Sequence, residues 1–146
     1  MKCMNNQIGE IEYNNDHIFT FREGIIGFER LRSFVVINDA EAEPFRWLVS
    51  IEDEDICLPL LDPKFIIPEY ETFNQFSSDK TIAVVASLKE PIEESTVNMR
   101  SPILFDAAQR TGQQVILPDE RFAVQQKFIA EAQLTSTSES GVAVGG

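Results

Sequence analysis

The sequence predicts an all-β fold, mainly antiparallel and barrel-like, with about eight to ten short strands and one or two short helices. Its apolar segments are short, rich in Val, Ile and Phe, and separated by turn-forming residues at intervals of roughly 8–12 residues, a spacing typical of sandwiches and barrels. A chain of 146 residues can bury a core without metal or disulfide support. We therefore expect a single barrel-like domain over residues 1–130.

Short polar turns mark the first strands. Alternating apolar residues predict strands at Ile8–Tyr13, His17–Phe21 and Ser33–Ile37. The first two flank Asn14-Asn15-Asp16 and are interpreted as a hairpin. Gly24 and Gly27 are expected to supply positive φ angles in the turn before the third strand.

Four consecutive carboxylates separate the next two strands. Phe45–Ile51 and Ile56–Leu61 are apolar arms of similar length, and Glu52–Asp55 joins them. Four-residue connections are common in hairpins. Like charges crowded into a turn are unfavourable unless they are solvated or matched by cations. We therefore predict an exposed hairpin loop that is either a solvated tip or a contact surface for a basic partner.

The second half of the chain continues the β pattern. Further strands are predicted at Thr81–Leu88, Thr96–Met99, Ile103–Phe105 and Gln113–Leu117, and the first of these is apolar enough to be covered on both faces. Pro68–Phe76 has the proline and early acids of a short helix. Arg121–Leu134 fits both a strand and a helix, and we favour a strand to about Lys127. Residues 131–146 are small and polar, which predicts a flexible C-terminal tail.

The chain is strongly acidic, with 24 acidic and 12 basic residues and a net charge of −12. This charge disfavours direct nucleic-acid binding and favours encounter with a basic protein, although solubility alone also explains it. No apolar run is long enough to span a membrane, and the N-terminus lacks the apolar core of a signal peptide. Cys3 and Cys57 form no disulfide framework, so we expect free thiols and a cytoplasmic location.

Patterns for catalysis and metal binding are weak. The single histidine, His17, leaves little basis for a catalytic triad or a zinc site. The contiguous acids Glu52–Asp55 lack the alternate spacing and the glycine of a calcium loop, and neighbouring side chains of an extended segment point to opposite faces. We expect no catalytic residue, metal or cofactor. A carboxylate-dependent hydrolase remains an alternative, because two acids distant in sequence can meet in a cleft.

Several stretches, taken in order, resemble the flagellar assembly factor family FliW. They are Phe21–Glu29, Phe45–Glu52, Leu61–Pro63 with Pro68–Tyr70, Thr96–Ile103 and Gly112–Leu117. The ordered set covers most of residues 19–117. Six positions that match the family pattern are expected to form turns, strand breaks or local hydrogen bonds: Gly24, Gly27, Pro63, Asn98, Pro102 and Gly112. For Asn98 we expect a hydrogen bond from its side chain to a neighbouring backbone.

The resemblance implies a small cytoplasmic barrel without enzymatic activity, monomeric when free. It implies two partners: flagellin before export, and the translational regulator CsrA, a small RNA-binding dimer. The free factor would sequester CsrA and relieve repression of flagellin mRNA, and flagellin would release CsrA. We predict partner contacts at Glu52, Asp53, Glu54, Asp55, Glu69 and Glu71. A generic acidic adaptor for another basic protein remains an alternative.

Overall fold

Seven strands close into a β-barrel in the computed structural model, which describes residues 1–70, 79–118 and 121–127. The strands of these residues are β1 (Lys2–Asn5), β2 (Gly9–Glu12), β3 (Ile18–Thr20), β4 (Ser33–Asn38), β5 (Arg46–Ser50), β6 (Cys57–Leu61), β7 (Thr81–Ser87), β8 (Thr96–Val97), β9 (Ile103–Asp106), β10 (Thr111–Gln114) and β11 (Gln126–Lys127). Short 3₁₀ turns occupy Asn15–His17, Ala40–Ala42, Pro63–Phe65 and Ile92–Glu94.

The barrel follows the order β3-β4-β5-β6-β7-β9-β10 and closes where β10 meets β3. The closing pair is parallel, through Thr111 and Thr20, and the other pairs of the barrel are antiparallel. Strands β8 and β11 extend the sheet beyond β7, and β1 pairs with β2 in a separate sheet. The predicted all-β, mainly antiparallel and barrel-like fold is confirmed.

Strand β7 is the point where the sheet branches. Its first half pairs with β9, its last two residues pair with β8, and its other edge pairs with β6. Four of the five residues from Ile82 to Ala86 are buried, and Val85 is partly buried. The prediction that this apolar strand is covered on both faces is confirmed.

Aromatic side chains fill the barrel. Phe21 and Phe34 are fully buried and meet edge-to-face with ring centroids 5.3 Å apart. The Phe21 ring also meets Phe105 edge-to-face, with ring centroids 5.9 Å apart. The neighbouring Val35 points outward and packs with Ile11 of β2. This alternation follows the two-residue period of a strand, and it places one core inside the barrel and another beneath the β1–β2 sheet.

The predicted first hairpin is wrong. Strand β2 pairs with β1, whereas β3 pairs with β4 and β10, so Ile8–Tyr13 and His17–Phe21 are not partners. The Asn14 side chain accepts a hydrogen bond from the Asp16 backbone nitrogen at 2.9 Å and caps a 3₁₀ turn, which redirects the chain. The tight turn instead precedes Gly9, whose φ of 102° suits glycine.

Several predicted bounds also shift. Strand β10 begins before the predicted Gln113–Leu117 and ends at Gln114. Within the strand predicted from Arg121 to about Lys127, only Gln126 and Lys127 pair with another strand. Their partner is β8, which has two residues. The short helices that lie wholly within the described residues are 3₁₀ turns, and Tyr70 is α-helical. The predicted helix beyond Tyr70 and the tail over 131–146 lie outside the described residues.

Both cysteines lie partly buried beneath the β1–β2 sheet, and burial raises the pKa of the Cys57 thiol to about 11. Only the thiolate is a good nucleophile, so in a Cys3→Ser variant Cys57 is expected to react slowly with iodoacetamide at pH 8. Its rate should rise roughly tenfold per pH unit until the pH approaches that pKa. Equal rates in the folded chain and in urea would contradict this burial.

Candidate functional site

The acidic loop, residues 51–56, lies at one end of the barrel. We call this end of the barrel the acidic end. There β4 begins, β5 ends and β6 begins, because Phe34 pairs with Ser50 and Val49 pairs with Cys57. The Ser50 backbone nitrogen donates to the Ile56 carbonyl at 3.2 Å and closes the hairpin. The predicted hairpin is therefore confirmed, but its loop spans residues 51–56 and is longer than the predicted four-residue connection Glu52–Asp55.

Two of the four acids fix the acidic loop to the segment before β4. The Glu52 carboxylate accepts hydrogen bonds from the backbone nitrogens of Arg32 at 2.6 Å and Ser33 at 2.8 Å. The Asp53 carboxylate forms an ion pair with the Arg30 guanidinium at 3.0 Å. These contacts give the loop a fixed position relative to residues 21–32.

The turn of the β1–β2 sheet holds the other side of the acidic loop. The Asn6 side chain donates to the Asp55 carboxylate, and the Asn6 backbone nitrogen donates to the Glu54 carbonyl at 2.9 Å. The buried Asn5 side chain donates to the Ile56 carbonyl at 3.1 Å. Within the described parts of the chain, the exposed Glu54 carboxylate makes no hydrogen bond or ion pair. Of the four acids in the loop, Glu54 is therefore the one most available to a partner.

A comparison of two alanine variants tests these different roles. Glu52→Ala is expected to lower the free energy of unfolding by about 1–2 kcal/mol, because it leaves two backbone donors without their acceptor. Glu54→Ala should change it by less than about 0.5 kcal/mol, as for an ordinary surface position. Urea denaturation measures both, and equal losses would contradict the structural role of Glu52.

Three of the segments that carry the family resemblance meet beside the acidic loop. The Gln114 side chain accepts a hydrogen bond from the Ile26 backbone nitrogen at 2.8 Å and donates to the Ser101 carbonyl at 2.9 Å. The Asn98 side chain accepts hydrogen bonds from the backbone nitrogens of Arg100 and Ser101, both at 3.1 Å. Gln114 thus joins the 21–29, 96–103 and 112–117 segments. Sequence reasoning missed it because a strand glutamine carries no local signal of such a bridge.

The glycines of these segments stand where a side chain is unfavourable. Gly24 has a φ of 71°, and an added Cβ would lie 2.6 Å from the Glu29 Cα. Gly27 has a φ of 91°, so the predicted positive angles are present. Gly112 faces the barrel interior, where an added Cβ would lie 2.2 Å from the Phe21 ring.

The other residues predicted for the site are dispersed. Pro63 begins a 3₁₀ turn capped by Asp62, and Pro102 is buried. Glu69 is exposed in the segment that follows β6 and the Pro63–Phe65 turn, outside the acidic loop. Glu71 lies outside the described residues. The predicted acids therefore do not all gather in one loop.

The acidic end also exposes aliphatic surface. Ile26 is 51 % exposed and Val124 is 55 % exposed, and both line a groove of about 260 Å³. A hydrophobic residue in a loop is assigned to the core by pattern alone, so sequence reasoning did not single out either one. Their exposure makes them candidates for contact with another molecule.

The described residues offer little for metal chemistry. Among them, no group of three or more His, Cys, Asp or Glu residues is placed to hold an ion. The His17 ring nitrogen accepts a hydrogen bond from the Asn14 backbone nitrogen at 3.2 Å, so it completes the cap of its own turn.

Within residues 1–70, 79–118 and 121–127, no helix has the length and apolar character to cross a membrane.

The fold and this end of the molecule define a class: a small closed β-barrel with an ordered acidic loop and a groove of mixed polarity. Comparisons with known proteins identify the family. The profile of the FliW protein family matches residues 2–128. The chain belongs to the FliW family of flagellar assembly factors.

Individual relatives agree with this assignment. A flagellar assembly factor FliW of Thermosipho africanus is 39 % identical over 135 residues, covering 85 % of this chain and 93 % of the relative. One from Thermotoga maritima is 32 % identical over 142 residues, covering 90 % and 95 %. A crystal structure of the flagellar assembly factor FliW aligns with a TM-score of 0.78 at 26 % identity, covering 90 % of this chain and 99 % of that one.

Proposed function

We propose that this flagellar assembly factor acts in the cytoplasm by binding other proteins and not by catalysis. Its partners are flagellin, which it holds before export, and the translational regulator CsrA, which it antagonises. Flagellin would displace CsrA, so the level of flagellin would control translation of its own mRNA. The observation that carries this proposal is membership of the FliW family over residues 2–128.

The charge of the molecule supports the CsrA part of the proposal. An RNA-binding regulator presents cations, and a chain with a net charge of −12 is complementary to it. The acidic loop is ordered by bonds from Arg32, Ser33 and Asn6, while Glu54 remains exposed for contact. An anionic loop beside the bound regulator would also repel RNA phosphates.

Co-purification tests the proposal. The tagged chain is mixed with flagellin alone, with CsrA alone and with both. Each partner is expected to co-purify singly, and flagellin should reduce the amount of CsrA retained. Such antagonism does not distinguish a shared surface from coupling between two sites. Retention of neither partner would contradict the proposed function.

A further inference from the structure

A groove of mixed polarity lies at the acidic end, between the 21–32 segment and the ends of the nearby strands. Its lining combines seven apolar residues, among them Ile26, Leu58 and Val124, with six polar or charged ones, among them Lys89 and Gln114. Single exposed aliphatic residues are normal on a protein surface, but Ile26 and Val124 are both more than half exposed on the same groove. A concavity that combines exposed apolar side chains with polar groups suits burial against another molecule.

The structure holds Ile26 in place. Its neighbour Ile25 is 2 % exposed and packs in the barrel core, so the backbone is anchored on one side. Gly24 and Gly27 give the loop its two positive φ angles, and the Gln114 side chain accepts a hydrogen bond from the Ile26 backbone nitrogen. A side chain displayed on an ordered loop loses little further entropy when a partner covers it.

The charge of the groove differs from that of the molecule. None of its lining residues is Asp or Glu, although the chain carries 24 acids, and the one charged residue in the lining is Lys89. Among the residues that the structure describes, the Lys89 ammonium makes no ion pair. Glu90, Glu93 and Glu94 follow Lys89 in the chain, but they do not line the groove, so Lys89 is the charged group that a segment bound there would contact.

We propose that this groove is a docking site for an apolar segment of another protein that carries a carboxylate. An aliphatic side chain of that segment packs between Ile26 and Val124, and the carboxylate pairs with Lys89. The site is separate from the acidic loop, which suits a cationic partner. The use of flagellin as a probe below rests on the function proposed above.

Calorimetric titration of flagellin into wild type and three variants tests the groove. Ile26→Glu is expected to weaken binding at least tenfold, because a charge replaces an aliphatic anchor. Lys89→Ala should weaken it about twofold to fivefold, as for an exposed ion pair. The matched control is Phe65→Glu, which makes the same charge change at a 60 % exposed residue of another groove, beside Glu43 and Arg46. Its affinity should stay within about twofold of wild type.

The outcomes separate the groove from the proposed function. If wild type binds flagellin and Ile26→Glu binds as well as Phe65→Glu does, the docking site is wrong while the function stands. If wild type does not bind flagellin, the flagellin part of the proposed function fails and a second probe tests the groove. That probe is 1-anilinonaphthalene-8-sulfonate, which combines apolar rings with one anionic group.

The second probe is read by amide chemical shifts in an NMR titration of the full chain. We expect shifts at Ile26, Lys89 and Val124, with loss of these shifts in Ile26→Glu. Shifts confined to the surroundings of Phe65, or an unchanged response in Ile26→Glu, would overturn the docking site. Both variants replace exposed side chains, and their circular dichroism should match wild type.

Discussion

Gly112→Ala is expected to lower the free energy of unfolding by about 3 kcal/mol. The added Cβ would lie 2.2 Å from the Phe21 ring, which is fully buried. Phe21 packs edge-to-face on both Phe34 and Phe105, so its ring cannot move aside without disturbing two further aromatic residues. Because protein interiors are close-packed, this overlap must be relieved by repacking the barrel core.

Gly27→Ala is the matched control for this prediction. Gly27 has a φ of 91°, which favours glycine and which Gly112 does not share, but an added Cβ at Gly27 meets no atom within 4 Å. Its expected cost is therefore the conformational one, about 1–2 kcal/mol. Urea denaturation compares the two variants, and a Phe21→Leu replacement should recover part of the stability lost in Gly112→Ala. Equal losses for both glycines, with no recovery, would contradict the packing of Phe21 against Gly112.

The affinity for CsrA is expected to fall at least about tenfold between 0.1 M and 1 M NaCl, because the Debye length shrinks from about 10 Å to about 3 Å. Attraction between the anionic loop and a cationic partner operates over that range. Glu54→Lys should weaken binding at 0.1 M NaCl by about threefold to tenfold and should reduce the salt dependence. Calorimetry or surface plasmon resonance at the two salt concentrations measures both effects.

Glu41→Lys provides the matched control for charge. Glu41 is exposed in the Ala40–Ala42 turn, which follows β4 at the end of the barrel opposite the acidic loop. The variant changes the net charge by the same amount as Glu54→Lys. An affinity independent of salt, or equal losses for the two variants, would remove the electrostatic role of the acidic loop.

The strands of the barrel were predictable because their burial alternates in the sequence. Phe34 faces the interior and Val35 the outer sheet, and the continuous apolar character of β7 follows from its burial by neighbours on both faces. Pairing was harder to predict because it is not local. β1 is too polar to mark a strand, and the parallel contact between Thr20 and Thr111 joins residues far apart in the chain.

The candidate site was predictable in part. Glu52–Asp55 stands out by charge, and its hairpin follows from the apolar arms on either side. The distinct role of Glu52 depends on the backbone of Arg32 and Ser33, which no local pattern places beside it. Exposure of Ile26 likewise depends on the Gln114 bridge, which forms only when β10 joins the barrel.

Hydrogen–deuterium exchange of the chain, alone and with each partner, tests most directly whether the acidic end is the binding surface. With CsrA bound, slower exchange is expected in residues 51–56. With flagellin bound, it is expected in residues 21–32 and 85–89 around the groove. Slower exchange confined to residues 38–46 and 62–66 at the opposite end, or no change with either partner, would contradict the account.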